Sequence, residues 1–141
     1  MIVMKFGGTS VGIPDHFAVA TRLVAERVPR DPVVVVSALA GVTNLMVEFC
    51  RTTTGRRELA RQLEVRHQEF AHGVGVPAAA LEPLLRAWEL EAAGWLRSHK
   101  VVAGADRDRV LAFGERLSAE LFAAGLKARG VDAVPVLAGD A

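Results

Sequence analysis

An α/β fold with a mostly parallel sheet follows from three features of this sequence of 141 residues. A short apolar run from Ile2 to Phe6 stops at the pair Gly7 and Gly8. A second run, Val33 to Val36, is four β-branched residues without alternation, the pattern of a strand covered on both faces. Each run leads through a small-residue loop into apolar residues at helical spacing, so strand, loop and helix succeed one another twice, as in the opening of a parallel sheet.

Each element has its own local reason. Ile2 to Phe6 reads as the first strand. Pro14 and Asp15 form a helix start, with Phe17, Ala20, Val24 and Val28 on one stripe. Pro29 and Pro32 bracket a break, because proline restricts both itself and the residue before it. After the second strand, Ser37 to Asn44 is a loop, and Leu45 to about Thr52 returns to helix. Leu59, Leu63 and Phe70 mark the next helix, which Gly73 to Pro77 breaks. Leu81, Leu84, Leu85, Trp88, Ala92 and Trp95 then follow a 3.6-residue period. These two helices form an αα-hairpin outside the sheet, with both tryptophans assigned to the core. Gly104 and Asp106 give a break and an N-cap before a long helix from about Arg107 to Arg129, and Gly130 is placed to end it. Val131 to Leu137 reads as a third strand, after which Ala138 to Ala141 end the sequence. Three strands leave apolar edges that proteins normally cover. The sequence is therefore expected to be the first part of a larger domain, or a piece that pairs with something.

Composition removes several function classes. Apolar residues make up 51%, too many for a disordered chain. The net charge of +1 comes from 17 basic and 16 acidic residues scattered along the chain, with no basic stripe for nucleic acid. No apolar run approaches the roughly 18 residues of a membrane helix, and the first residues lack a basic leader, so a soluble, cytoplasmic protein is expected. Cys50 has no partner for a disulfide within the chain and no CxxC spacing. His16, His67, His72 and His99 lack metal-ligand spacing, so no metal site and no catalytic triad is expected of them.

Three features carry possible chemistry. Lys5 precedes Gly7, Gly8, Thr9 and Ser10: glycines let backbone amides approach a phosphate, a helix N-terminus beyond them adds a favourable dipole, and the lysine adds a point charge. This is neither a Walker A loop nor the dinucleotide fingerprint, and an ordinary turn beside a surface lysine is the alternative. Ser37, Thr43 and Asn44, with Gly41 for close backbone approach, occupy the same end of the second strand, where ligands of open α/β sheets bind. The alternative there is a small-residue loop with Thr43 or Asn44 as a helix cap. Glu115 has no cation three or four positions away on its helix, whereas Glu120 has Arg116. Leu111 and Phe122 share its stripe, so a partly buried carboxylate is expected, needing Lys5, another segment or a ligand ammonium as partner. A glutamate at the rim of the face is the alternative.

Taken together, KFGGTSV at 5–11, VVVSALAGVTN at 34–44 and FGERLSA at 113–119 resemble the aspartate kinases in order and spacing, over essentially the whole chain. The resemblance implies the three-layer α/β/α amino-acid-kinase fold, of which this chain would be the N-terminal portion. It implies ATP-dependent phosphorylation of the side-chain carboxylate of L-aspartate, the first step towards lysine, threonine and methionine. By motif, Lys5 would stabilise charge on the transferring phosphoryl group, and Gly7, Gly8, Thr9 and Ser10 would form the phosphate-side loop. Ser37, Gly41 and Thr43 would hold aspartate, and Glu115 would pair with its ammonium. The later segments of the family that hold most of the ATP and its magnesium have no counterpart here, nor do the regulatory ACT domains, so the fragment is expected to be inactive alone. L-Aspartate and ATP are the implied partners, with self-association or pairing with the rest of the enzyme. The wording of the hairpin and of FGERLSA is similar to long or bifunctional bacterial enzymes, fused to homoserine dehydrogenase or diaminopimelate decarboxylase. Another amino-acid or carboxylate kinase of the same fold, or a non-catalytic assembly module, are the competing readings.

Overall fold

The structure, a computed structural model, describes residues 1–137. In chain order its elements are β1 (Ile2–Phe6), α1 (Gly8–Gly12), α2 (Pro14–Glu26), β2 (Pro32–Val36), α3 (Val42–Arg51), α4 (Arg56–Gly73), α5 (Glu82–Leu96) and α6 (Gly104–Ala128). The two strands pair in parallel, from Ile2 opposite Pro32 to Phe6 opposite Val36. The α/β class, the parallel pairing and the helical hairpin of α4 and α5 are as the sequence predicts. No helix among the described residues is long and apolar enough to cross a membrane.

Alternation along both strands sends Met4, Phe6, Val34 and Val36 into the core and Val3, Lys5, Val33 and Val35 to the other face. That second face is open among the described residues, with Val3 68% and Val33 48% exposed. The unbroken valine run predicted cover on both sides; only one side has it here. On the covered side Phe6 stacks on Phe122 of α6 with centroids 5.5 Å apart. Phe17 of α2 meets Phe122 edge-on at 5.6 Å and Phe70 of α4 at 5.4 Å. Such aromatic pairs add roughly 0.5–1.5 kcal/mol each beyond the area they bury.

The hairpin has its own centre. Trp88 is fully buried between Phe49 and Phe113, at 5.2 and 5.4 Å, and its Nε1–H donates to the Ala60 carbonyl at 3.2 Å. Trp95, also assigned to the core, is half-buried at its edge. Arg56, the first residue of α4, is buried and donates to four carbonyls, those of Phe49, Trp95, Ser98 and Lys100. Its guanidinium also lies over the Phe49 and Trp95 rings. The carbonyl ends of α3 and α5 converge on it, where a cation is favoured by both helix dipoles. The segment before α6 is tied to the same place by the bond from Val102 N–H to the Cys50 carbonyl, 2.8 Å.

Three local expectations change. The long helix begins at Gly104 with Ala103 as its cap, and Asp106 lies in the first turn, paired with Arg109 at 2.9 Å. Its other end follows the prediction: Gly130 has φ of 82°, its N–H donates to Lys127 and that of Val131 donates to Leu126, which satisfies the last carbonyls. Beyond it, residues 131–137 alternate in exposure but form no strand. The sheet of the described residues has two strands. Pro135 lacks a ladder donor, and a cavity of about 400 Å³ lies between this segment, β2 and α6, lined by Val34, Phe122, Leu126 and Val134 among others. Residues 138–141, the expected chain end, lie outside the described part.

The turn after β1 is also more ordered than a loop. The Gly7 carbonyl accepts from the N–H groups of Ser10 and Val11, making the single helical turn α1. This turn lies directly on the loop after β2. Ala40 N–H donates to the Gly8 carbonyl at 3.0 Å. A Cβ on Gly8 would sit 2.9 Å from the Ala38 carbonyl oxygen, and one on Gly12 would sit 2.6 Å from the Ala40 nitrogen. Backbone meets backbone because both positions lack a side chain. Gly12→Ala should therefore displace α1 or the loop and lower stability by about 1–3 kcal/mol. Gly94→Ala, in the open interior of α5 where a Cβ meets nothing within 4 Å, should raise stability by about 0.5–1 kcal/mol. Urea denaturation of both variants checks the contrast; equal effects would contradict the close approach.

His67 of α4 is fully buried, its Nδ1–H donating to the Leu63 carbonyl at 2.7 Å and its Nε2 without a partner among the described residues. Burial, aided by the Arg66 charge and opposed by the Leu63 bond, pushes its pKa down to about 4. The unfolded chain binds the proton near the ordinary value of about 6.5, the folded chain only near pH 4. The stabilisation is complete above about pH 6.5 and is lost as pH falls towards 4. Lowering pH from 7 to 5 should cost about 2 kcal/mol through this group. The same pH change should cost His67→Leu correspondingly less, measured by urea denaturation at the two pH values.

Candidate active site

Parallel pairing in register brings the ends of β1 and β2 out together. Ser37 N–H donates to the Phe6 carbonyl at 3.1 Å, extending the ladder one step, after which both chains turn. Gly7, at φ −78° and ψ 176°, is still extended and hands the chain to α1. The amides at the open end of this turn, those of Gly8 and Thr9, have no carbonyl one turn earlier to receive them. The helix that begins at Gly8, within the glycine pair, is only five residues long, and it offers individual amides rather than the dipole of a full helix.

Gly41 has φ of 84°, and it is this left-handed geometry that requires glycine; a Cβ there would meet nothing within 4 Å. The backbone-to-backbone contacts between the two loops are made at Gly8 and Gly12, and the space beside Gly41 is open. Helix α3 starts at Val42, so Thr43 and Asn44 are inside its first turn and neither side chain caps it. Thr43 is exposed and Ser37 half-buried.

Helix α6 supplies the third wall. Gly114 packs so closely on the second loop that a Cβ on it would lie 3.0 Å from Val42 Cγ1 and 3.2 Å from Ala38 Cβ. The next residue, Glu115, is exposed, not partly buried as its stripe suggests. Of its stripe, Leu111 is half-covered, Ser118 is buried and Phe122 is covered by the rings of Phe6 and Phe17, while Glu115 itself lies at the open edge of the covered face. Lys5 is not within ion-pair distance of Glu115, and the structure leaves both charges exposed. Nor do Arg116 and Glu120 pair: the Arg116 guanidinium lies over the Phe113 ring, 5.2 Å from its centre.

Lys5, Thr9, Ser10, Ser37, Thr43 and Glu115 therefore share one property: none makes a side-chain hydrogen bond or ion pair among the described residues, while the backbone beneath them is fixed. Gly7, Gly8, Ser37 and Gly41 belong to two touching loops, and Gly114 brings the Glu115 segment against the second. Lys5 stands somewhat apart, on the open sheet face with Val3, Val33 and Val35. No group of three metal-ligating side chains occurs among the described residues. Cys50 is buried, and burial raises its thiol pKa against the opposing charges of Arg107 and Arg56, so it is not an activated nucleophile.

Two residues that organise this site were not singled out from the sequence. Gly12 is one; its spacing of four from Gly8 was the available signal. The other is Arg66 of α4, whose Nη2 donates to the Gly12 carbonyl at 3.0 Å and to the Ala40 carbonyl at 3.4 Å. Burial lowers its pKa and the neighbouring Glu69 opposes this. In sequence it is one arginine among several on that helix.

The family model described as "Amino acid kinase family" matches residues 1–141. The chain is 33% identical to the aspartokinase of Chlamydia pneumoniae over 93% of its own length and 28% of that protein. It is 32% identical to a chloroplastic aspartokinase of Arabidopsis thaliana, over 95% of its length and 26% of that protein. Its structure is similar to that of E. coli aspartokinase III in complex with aspartate and ADP, with TM-score 0.73 and 29% identity over 95% of this chain and 30% of that one. The lysine- and aspartate-bound form gives TM-score 0.72. The chain spans less than a third of the length of these relatives. A family model that matches from the first residue to the last, over a fold shared with a solved kinase, shows that this chain belongs to the amino acid kinase family.

Proposed function

We propose that this chain is the N-terminal part of the catalytic domain of an aspartate kinase, which transfers the γ-phosphoryl group of ATP to the side-chain carboxylate of L-aspartate. The observation that carries the reading is the contact of the Gly7–Ser10 turn with the Ser37–Gly41 loop, with Gly114 and Glu115 alongside, in a chain whose curated relatives are aspartokinases. One carboxylate oxygen of aspartate attacks the γ-phosphorus, the bond to the bridging oxygen breaks, and ADP leaves with that oxygen. Aspartate is already ionised at neutral pH, so the reaction calls for no general base. A site of one lysine, free amides, hydroxyls and one glutamate suits such chemistry, in which positioning and charge stabilisation dominate.

In this reading Lys5 stabilises charge on the transferring group, and the amides of Gly7, Gly8 and Thr9 and the hydroxyls of Thr9 and Ser10 donate to phosphate oxygens. Ser37, Gly41 and Thr43 hold aspartate, and Glu115 meets its α-ammonium. An exposed Glu115 fits this role, because the partner comes with the substrate. ATP is the co-substrate with Mg²⁺, and most of its binding surface lies in segments beyond this chain, as would regulatory ACT domains. The open face bearing Val3, Val33 and Val35 is where the rest of the protein or a second copy packs. The enzyme works in the cytoplasm, in the biosynthesis of the aspartate-derived amino acids.

The test is an ATP-dependent kinase assay with L-aspartate, and with L-glutamate for comparison, on the full-length gene product and on the 141-residue chain. Aspartate-dependent ADP release by the full-length protein alone is expected; preference for another carboxylate would overturn the substrate assignment. In the full-length protein Lys5→Ala should lower kcat by about 100-fold or more with a smaller change in KM, as expected for charge stabilisation in the transition state. Near-normal turnover would remove Lys5 from the mechanism. Glu115→Ala should raise the KM for aspartate by about tenfold or more, the loss of a charge-assisted contact. An unchanged aspartate KM would remove the ammonium role.

A further inference from the structure

We propose that Arg66 is a positioning residue that sets the gap between the phosphate-side turn and the amino-acid-side loop; the proposal rests on the aspartate kinase reading for its catalytic consequence. One terminal nitrogen of its guanidinium carries two protons, and the two nearest acceptors are the Gly12 carbonyl, which ends α1, and the Ala40 carbonyl, in the loop after β2. These carbonyls belong to different walls of the site, and both are brought to the same point. Arg66 itself comes from neither wall. It projects from the helical hairpin, so the hairpin has a route to the site although it carries none of the candidate residues.

The surroundings fix the guanidinium. Its carbon lies 5.4 Å from the centre of the Phe70 ring, and Phe70 in turn packs edge-on against Phe17 of α2. Gly12 admits it from the other side: a Cβ there would lie 3.2 Å from the Arg66 Nη2 and still closer to the Ala40 nitrogen. The direct bond from Ala40 N–H to the Gly8 carbonyl ties the near end of α1 to the loop, and Arg66 ties the far end. With two ties α1 can neither lift from the loop nor pivot about the first bond. A lysine has no planar fork with which to hold the same geometry against a ring.

In the proposed reaction the two walls hold the two reactants, so this gap is the distance over which the phosphoryl group moves. A displacement of about 1 Å can cost about 100-fold in rate while each reactant still binds. The variant Arg66→Met keeps an apolar stem on Phe70 and loses both donors. In the full-length protein, kcat should fall about tenfold or more, with the KM values for aspartate and ATP within about threefold of the parent. Amide hydrogen exchange separates this from general loss of structure. Exchange at Ala40 should accelerate about tenfold or more, while amides of α5 and the middle of α6 keep their rates. Arg66→Lys should recover only part of either property.

Unchanged exchange at Ala40, or equal acceleration throughout the protein, would overturn the proposal. So would a parent-like kcat in an active enzyme, which would leave the aspartate kinase reading standing. If the parent protein phosphorylates no aspartate, that reading falls by itself and the exchange data alone decide whether Arg66 ties the two walls.

Discussion

Everything around the candidate site depends on two stretches of backbone meeting without side chains between them. Parallel strands deliver two loops to one edge of a sheet, but strand spacing alone leaves them to diverge. Here the Gly8 carbonyl accepts directly from Ala40 N–H, and Gly8 and Gly12 leave no Cβ to hold the turn away. Gly114 continues the same principle on α6, against Ala38 and Val42. Three glycines thus make the contacts by which turn, loop and helix become walls of one site, while the polar groups above them remain free for a ligand.

The helical hairpin is the buttress for this arrangement. Its centre is built around Trp88, and the buried Arg56 gathers carbonyls from the ends of α3 and α5 and from the segment before α6. A buried cation satisfied wholly by carbonyls requires those carbonyls to converge, so it specifies where the chain passes as well as stabilising it. The far side of the hairpin faces water, with surface pairs such as Arg61 with Glu58 and Arg86 with Glu82. Such exposed pairs add little stability; the hairpin is held by its core and by Arg56.

How much was legible in the sequence follows from the range of the interactions. The valine run, the apolar spacing of α4 and α5, and Gly130 at the end of α6 encode their structures locally and were readable. The turn α1 was not, because Gly8, Thr9, Ser10 and Gly12 are poor helix formers and the turn exists through bonds to the Gly7 carbonyl. Val131 to Leu137 has the composition and alternation of a strand, but pairing is a property of two chains, and β2 does not meet it across the intervening cavity. The exposure of Glu115 was hidden because helical spacing tells which residues share a face, not where the cover on that face ends. Arg56, Arg61 and Arg66 look equivalent on one helix, yet one gathers four carbonyls, one pairs on the surface and one bridges two loops. Tertiary neighbours decide among them.

Strand β1 places Lys5 and Phe6 on opposite faces, and Phe6 is held by its stack on Phe122. Because side chains alternate, sliding β1 by one residue against β2 would exchange the two. The ammonium would then enter an aromatic cluster and the ring would enter water, a double penalty that no neighbouring register escapes. Hydrophobic packing on one side of the sheet thereby acts as a proofreading step for the charge on the other. A chain that has folded with Phe6 in its place has already put Lys5 in its own.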